Sequence, residues 1–181
     1  MKPIVRIVMV VVSVFMINTA YGQIKLSGGI GVFKTFYPST GNINLTYEAK
    51  AYMGFSFAGR FDVNDKIAVG ASLGYHINSY ENLGGHITEY VMPVLGMLEY
   101  RFGNDGFVPY VGGNMGLYRF GAFGNDGVNT AGYFGLAPSA GFDYNISPAV
   151  FLHGCMYYHY ILTQGVRISA FGFDAGIGIK F

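Results

Sequence analysis

Read two residues at a time, the C-terminal segment separates into two unlike faces. Phe171, Phe173, Ala175, Ile177, Ile179 and Phe181 fall on one side, and Gly172, Asp174, Gly176, Gly178 and Lys180 on the other. A period of two belongs to a β-strand, whose successive side chains point to opposite faces. The split recurs upstream, where Ile67, Val69, Ala71, Leu73, Tyr75 and Ile77 oppose Ala68, Gly70, Ser72, Gly74, His76 and Asn78. It recurs again where Tyr47, Ala49, Ala51, Met53, Phe55, Phe57 and Phe61 oppose Glu48, Lys50, Tyr52, Ser56, Arg60 and Asp62. Charge stays on one side each time, so the fold must be β-structure with a continuous apolar surface.

The first residues stand apart from this pattern. Lys2 and Arg6 precede an apolar run from Ile7 to Ile17, and Ala20-Tyr21-Gly22 ends it with small residues flanking a larger one. That is the layout of a cleaved secretory signal peptide, and the run is about half the roughly 20 residues of a membrane anchor. The chain therefore divides into a signal peptide, residues 1–22, and a β-barrel domain, residues 23–181. No Cys follows the cut, which argues against a lipoprotein. Cleavage removes two of 11 basic residues and no acid, leaving 9 against 10, a formal charge of −1. Such a chain has no basic field for nucleic acid.

Turn chemistry cuts the mature chain at regular intervals. Val63-Asn64-Asp65-Lys66, Gly103-Asn104-Asp105-Gly106 and Asn145-Ile146-Ser147-Pro148 are tight; Pro38 to Leu45, Glu81 to His86, Gly121 to Thr130 and Gln164 to Val166 are looser. Seven breaks give eight strands, roughly 24–37, 46–62, 67–80, 87–102, 107–120, 131–144, 149–163 and 167–181. The longest stretch without Asp, Glu, Lys or Arg, Tyr144 to Val166, contains Pro148, Gly154 and five aromatics, and reads as strand rather than spanning helix.

Two architectures hide one apolar face of eight strands: a soluble calyx with the apolar face inward, and a membrane barrel with it outward. Composition favours the second. Charged residues make up 12% of the chain against 51% hydrophobic, and 28 Gly is about twice the average share. Phe61, Phe102, Phe107 and Phe142 lie near the tight turns, where an aromatic girdle belongs. In lipid no water satisfies a bare strand edge, so the strands must close on themselves. The expected fold is an all-β, eight-stranded antiparallel up-and-down transmembrane β-barrel following a cleaved signal peptide, with the tight turns in the periplasm.

Three segments carry a resemblance. Leu98-Glu99-Tyr100-Arg101-Phe102 followed by Pro109-Tyr110-Val111-Gly112-Gly113-Asn114-Met115-Gly116 is similar to a hairpin of the small porin-like outer-membrane β-barrel family. Tyr157 to Thr163 resembles its penultimate strand, and Gly176-Ile177-Gly178-Ile179-Lys180-Phe181 resembles the terminal strand by which such barrels are recognised. The resemblance implies a bacterial outer-membrane location, lipid and lipopolysaccharide as surroundings, and the barrel assembly machinery as a partner during biogenesis, with Phe181 as its C-terminal signal. A larger outer-membrane complex is a further partner it allows. It implies no cofactor and no single activity.

Phasing the strands places Glu48, Lys50, Arg60, His76, Glu89, Glu99, Arg101, Asp143, His153, His159, Asp174 and Lys180 inside. The expected lumen charge network is Glu48, Lys50, Arg60, Glu99, Arg101, Asp143, Asp174 and Lys180, both signs in similar number. An eight-stranded interior is just wide enough for side chains to fill, and Tyr52, Tyr110, Tyr118, Tyr133, Phe151 and Tyr157 also point inward. A plugged, non-enzymatic barrel with a structural or interaction role is the leading reading, and a narrow channel or transporter of small or hydrophobic solutes is the alternative. The inward Gly70, Gly74, Gly112, Gly116, Gly135, Gly141, Gly172 and Gly176 either seat the aromatics or leave a wet passage. His153 and His159 lie about 20 Å apart along one strand and cannot share a metal. Cys155 reads as a small lumen residue. Outer-membrane esterases of the lipid A deacylase kind carry a His-x-Ser pair, whereas here Ile161 follows His159 and Cys155 follows His153 at that spacing.

Overall fold

The computed structural model describes residues 22–36, 50–82, 85–103, 105–124, 127–163 and 167–181. Signal-peptide residues 1–21 and Glu48 lie outside them. Eight strands follow in order: β1 (Ile24–Phe36), β2 (Ala51–Asp62), β3 (Ile67–Asn82), β4 (Gly85–Arg101), β5 (Phe107–Gly124), β6 (Gly127–Asn145), β7 (Val150–Leu162) and β8 (Arg167–Lys180). Each pairs antiparallel with the next, and β8 returns to β1, closing the sheet. The closing seam runs from Lys25↔Lys180 to Phe36↔Ser169 and ends in reciprocal backbone bonds between Ile24 and Phe181.

Local chemistry fixes the tight turns. Asn64 Oδ1 accepts from the amides of Lys66 and Ile67 at 2.9 and 2.8 Å, and Ser147 Oγ accepts from Val150 at 3.0 Å. These side chains mimic a backbone turn. Gly106 takes φ +63°, open to glycine at no steric cost.

Two of the looser breaks prove shorter than expected. The strands run through most of Gly121 to Thr130 and Glu81 to His86, because the ladder continues to Gly124↔Gly127 and Asn82↔Gly85. The small residues there, such as Gly121 and Ala122, keep pairing and do not end the strand. β5 and β6 are in consequence the longest strands described, at 18 and 19 residues.

The apolar face points out. Ile30 is 76% exposed, and Met53, Leu98, Met115, Leu117, Leu152, Phe173 and Ile177 are exposed with it. The outward apolar run is similar on every wall: 9 residues from Ile24 to Val32 and from Phe171 to Ile179, 11 from Phe107 to Leu117 and from Leu152 to Leu162. That matches the roughly 9–11 tilted residues that cross a hydrocarbon core. A soluble calyx would show the reverse. Phe102, Phe107 and Phe142 are exposed beside the turns, as a girdle requires, and the Phe107 and Phe142 rings pack at 5.2 Å. Phe61 is 8% exposed in the uncleaved chain, where Gly22, the last residue of the expected signal peptide, lies against its ring.

Candidate functional site

The lumen is the one interior this fold builds, and its side chains form layers. At the turn end, Arg60 donates from Nη1 and Nη2 to Asp143 Oδ1, both at 3.1 Å, and approaches Glu99 Oε2 at 3.5 Å. Arg101 reaches Glu99 Oε2 at 3.3 Å and Asp62 Oδ1 at 2.7 Å, and Lys25 pairs with Asp62 Oδ2 at 2.8 Å. The Arg60, Glu99 and Asp143 side chains are 1–2% exposed. The Arg60 guanidinium also sits 5.2 Å from the Phe151 ring centre and 5.8 Å from that of Tyr110. Strand pairing explains the meeting: Arg60, Glu99, Asp143 and Phe151 are inward positions on four different strands near the same rim. This charged layer closes the turn end.

Toward the loops, a second layer is apolar. Phe33, Tyr52, Val91, Leu95, Tyr118, Ala137, Ile161 and Ala170 pack into one buried cluster. The Tyr118 hydroxyl shares a 2.8 Å hydrogen bond with His159 Nδ1, and the His159 ring lies 4.7 Å from Phe33. Between the layers lies a cavity of about 30 Å³, room for one or two waters. Ser27, Ser56, Ser72, His76, His153, Tyr157, His159 and Asp174 are among its lining. Buried Nδ1 atoms of His76 and His153 have no hydrogen-bond partner among the described residues. Above the apolar layer the lumen opens into a recess of about 300 Å³ lined by Tyr52, Glu89, Phe120 and Asn129. There Lys50 Nζ donates to Glu89 Oε1 at 2.7 Å, while Tyr52 and Tyr80 donate to the same carboxylate at 3.0 Å.

The charged side chains therefore do not form one network. Arg60, Glu99, Arg101 and Asp143 come together at the turn end; Lys50 pairs at the opposite mouth. Asp174 lies at mid-barrel beside the cavity, accepting a hydrogen bond from Ser56 and making no ion pair among the described residues. Lys180 bonds Asn145 near the charged layer. Lys25 and Asp62 complete the layer and were not singled out from sequence. The signal existed: Lys25, Ser27, Phe33 and Thr35 alternate as buried residues against exposed Ile24, Leu26, Val32 and Lys34.

Of the inward glycines, Gly135, Gly141 and Gly172 seat rings, whereas Gly70, Gly116 and Gly176 lie against the backbone of the neighbouring strand. A Cβ on Gly178 would fall inside the Phe151 ring, one on Gly141 would meet Tyr110 Cζ at 2.6 Å, and one on Gly135 would meet Tyr118 Cε2 at 2.8 Å. At these positions volume removed on one strand is filled from its neighbour, while a recess of about 180 Å³ remains at the turn end beside Lys25, Asp62, Arg101, Asp143 and Lys180. Cys155 is buried against Tyr110 and Tyr157. Among the described residues, no three His, Cys, Asp or Glu side chains converge as a metal site would need.

No protein-family profile matches this sequence, and no curated protein does. Solved structures do. Neisserial surface protein A aligns with TM-score 0.66 and 17% identity over 86% of this chain and 97% of that one. The attachment invasion locus protein Ail of Yersinia pestis, solved with the heparin analogue sucrose octasulfate, aligns with TM-score 0.61 and 18% identity over 89% and 99%. The outer membrane protein OprG of Pseudomonas aeruginosa aligns with TM-score 0.60 and 17% identity over 89% and 96%. Identities this low speak for fold and not for role. With eight antiparallel strands closed into one barrel, apolar outside and polar within, this chain has the fold of the small eight-stranded outer-membrane β-barrels.

Proposed function

We propose that the protein is a non-enzymatic integral protein of the bacterial outer membrane, exported by a cleaved signal peptide, with a plugged lumen and a structural or interaction role. The observation that carries this reading is the double closure: a charged layer at the turn end and an aromatic-aliphatic layer above it, with room for one or two waters between. Its surroundings are outer-membrane lipid and lipopolysaccharide, and a larger outer-membrane complex is a candidate partner. The barrel assembly machinery would read the last strand, whose terminal Phe181 is 69% exposed and outward. The solved neighbours support the location, since they are bacterial outer-membrane proteins.

A solute-flux assay tests it. Proteoliposomes carrying the folded protein should swell in arabinose no faster than empty vesicles, and membranes washed in carbonate should retain the protein. Swelling well above the empty control would replace the plugged reading with a channel.

A second reading, passage of small or hydrophobic solutes through the wall, has its own observation. The β3–β4 ladder skips from Leu73↔Val94 to His76↔Val91 around Pro93, and the β6–β7 ladder skips from Leu136↔Tyr160 to Ser139↔Tyr157 around Pro138. Proline cannot donate to a ladder. Under this reading Pro138→Val would close the gap and reduce uptake of an apolar solute; unchanged uptake would remove its support.

A further inference from the structure

The closing seam sets two cations face to face. Lys25 on β1 and Lys180 on β8 are register partners, and both line the turn-end recess of about 180 Å³. Side chains directly opposite in an antiparallel pair have Cβ atoms about 5 Å apart, and like charges there destabilise the sheet. Arg101 on β4 adds a third cation to the same recess. The barrel is thus closed across a repulsion.

The acids nearby are already engaged. Asp62 gives one oxygen to Lys25 at 2.8 Å and the other to Arg101 at 2.7 Å. Asp143 Oδ1 takes two nitrogens of Arg60, and Glu99 Oε2 lies between Arg60 and Arg101. Asp65, the other acid of the lining, belongs to the β2–β3 turn. The Phe181 oxygen accepts from the Ile24 amide and pairs with neither lysine. Lys180 is left with the side-chain oxygen of Asn145 and with the Phe151 ring, whose centre is 5.9 Å from its Nζ. It makes no ion pair among the described residues.

An ammonium carries three donors. Lys25 spends one on Asp62 and Lys180 one on Asn145, so both keep N–H groups for a further acceptor. An oxyanion seated between them would accept from both and cancel their repulsion. We propose that the turn-end recess binds a small soluble anion, a carboxylate or a phosphate, held between Lys25 and Lys180 with Arg101 as a third charge. Its volume admits inorganic phosphate or a small organic acid and excludes a polymer. That the anion comes from the periplasm rests on the outer-membrane reading above; the facing of the two lysines does not.

The test uses protein produced with its own leader, recovered from outer membranes and reconstituted in phosphatidylcholine nanodiscs. The urea midpoint of its heat-sensitive gel band is followed as sodium phosphate or sodium succinate replaces sodium chloride at constant ionic strength. The midpoint should rise and level off in at least one of the two, as for a ligand bound only by the folded state. The more effective anion tells phosphate from carboxylate. Lys180→Gln should be at least as stable as wild type in chloride, because it removes the repulsion. It should also weaken the anion effect about tenfold or more, the loss of one charge-assisted hydrogen bond. Lys180→Arg should keep most of the effect, and Lys50→Gln, at the opposite mouth, all of it. A midpoint that follows chloride in both anions overturns the proposal, as does a Lys180→Gln variant less stable than wild type in chloride. So does a rise that never saturates or is equally large in Lys180→Gln, since salts excluded from protein surface stabilise every variant alike. Protein without a heat-sensitive folded band would count against the membrane-barrel reading itself. A folded band without anion response sinks only this inference.

Discussion

Arg60 shows how single residues hold the barrel shut. It donates to Asp143 Oδ1 with two nitrogens and approaches Glu99, all three almost fully buried. Removing one partner of a buried pair leaves an uncompensated charge, which costs about 3–5 kcal/mol. Arg60→Met should therefore lower the urea midpoint of the folded, fast-migrating gel band, and adding Asp143→Asn should recover much of the loss. A double variant as unstable as the sum of the singles would show that the pair is not coupled. Glycine makes the complementary point. Gly178→Leu would place a side chain where the Phe151 ring lies, and overpacking of this kind costs about 1–3 kcal/mol or more. The same gel midpoint reads it. At this scale the sequence was partly legible. Alternation told which residues face inward, because the period of two is strict. It could not tell which inward residues meet, because Arg60 and Asp143 are 83 positions apart and on non-adjacent strands. Asp174 shares their face yet lies at mid-barrel beside Ser56, since height along the axis depends on register, which turn lengths set.

Among the elements, β6 and β8 carry the clearest expectations. Pro138 faces outward in β6 where pairing with β7 lapses between Leu136↔Tyr160 and Ser139↔Tyr157. Pro138→Val restores a donor and should stabilise the barrel by about 0.5–1.5 kcal/mol if the freed amide finds its ladder partner; slower amide exchange at Tyr158 and His159 would report the mended ladder. On β8, deletion of Phe181 should leave in-vitro folding into detergent nearly intact, since Lys25↔Lys180 still starts the closing seam. It should reduce the amount of folded protein reaching the outer membrane of cells. Equal losses in both settings would mean that Phe181 acts in stability and not as an assembly signal. Strand number and order were readable because Asn64 and Ser147 sit where turns need them. The extent of β5 and β6 was not, because Gly121 to Thr130 reads as a break in sequence, yet most of it continues to pair in the ladder.

For the whole molecule, the direction of the apolar face decides everything else. Periodicity separates two faces but not inside from outside; low charge and turn-side aromatics favoured the membrane, and closure with Ile30, Met53 and Leu117 outward settles the geometry. With apolar residues outside, the interior must hold the polar ones, and in eight strands they fill it. The central claim is that this filling blocks the lumen to solutes, leaving a small internal cavity and a recess at each end. Single-channel recording in a planar bilayer, on protein first shown by a heat-dependent gel shift to be folded, tests it directly. The wild-type barrel should be silent, while a variant carrying Phe33→Ala, Tyr118→Ala and Arg60→Ala, if it passes the same gel test, should give measurable current. Reproducible unitary steps from the wild type, changed in size by Glu99→Gln or Arg101→Gln, would contradict the account and make the lumen a channel.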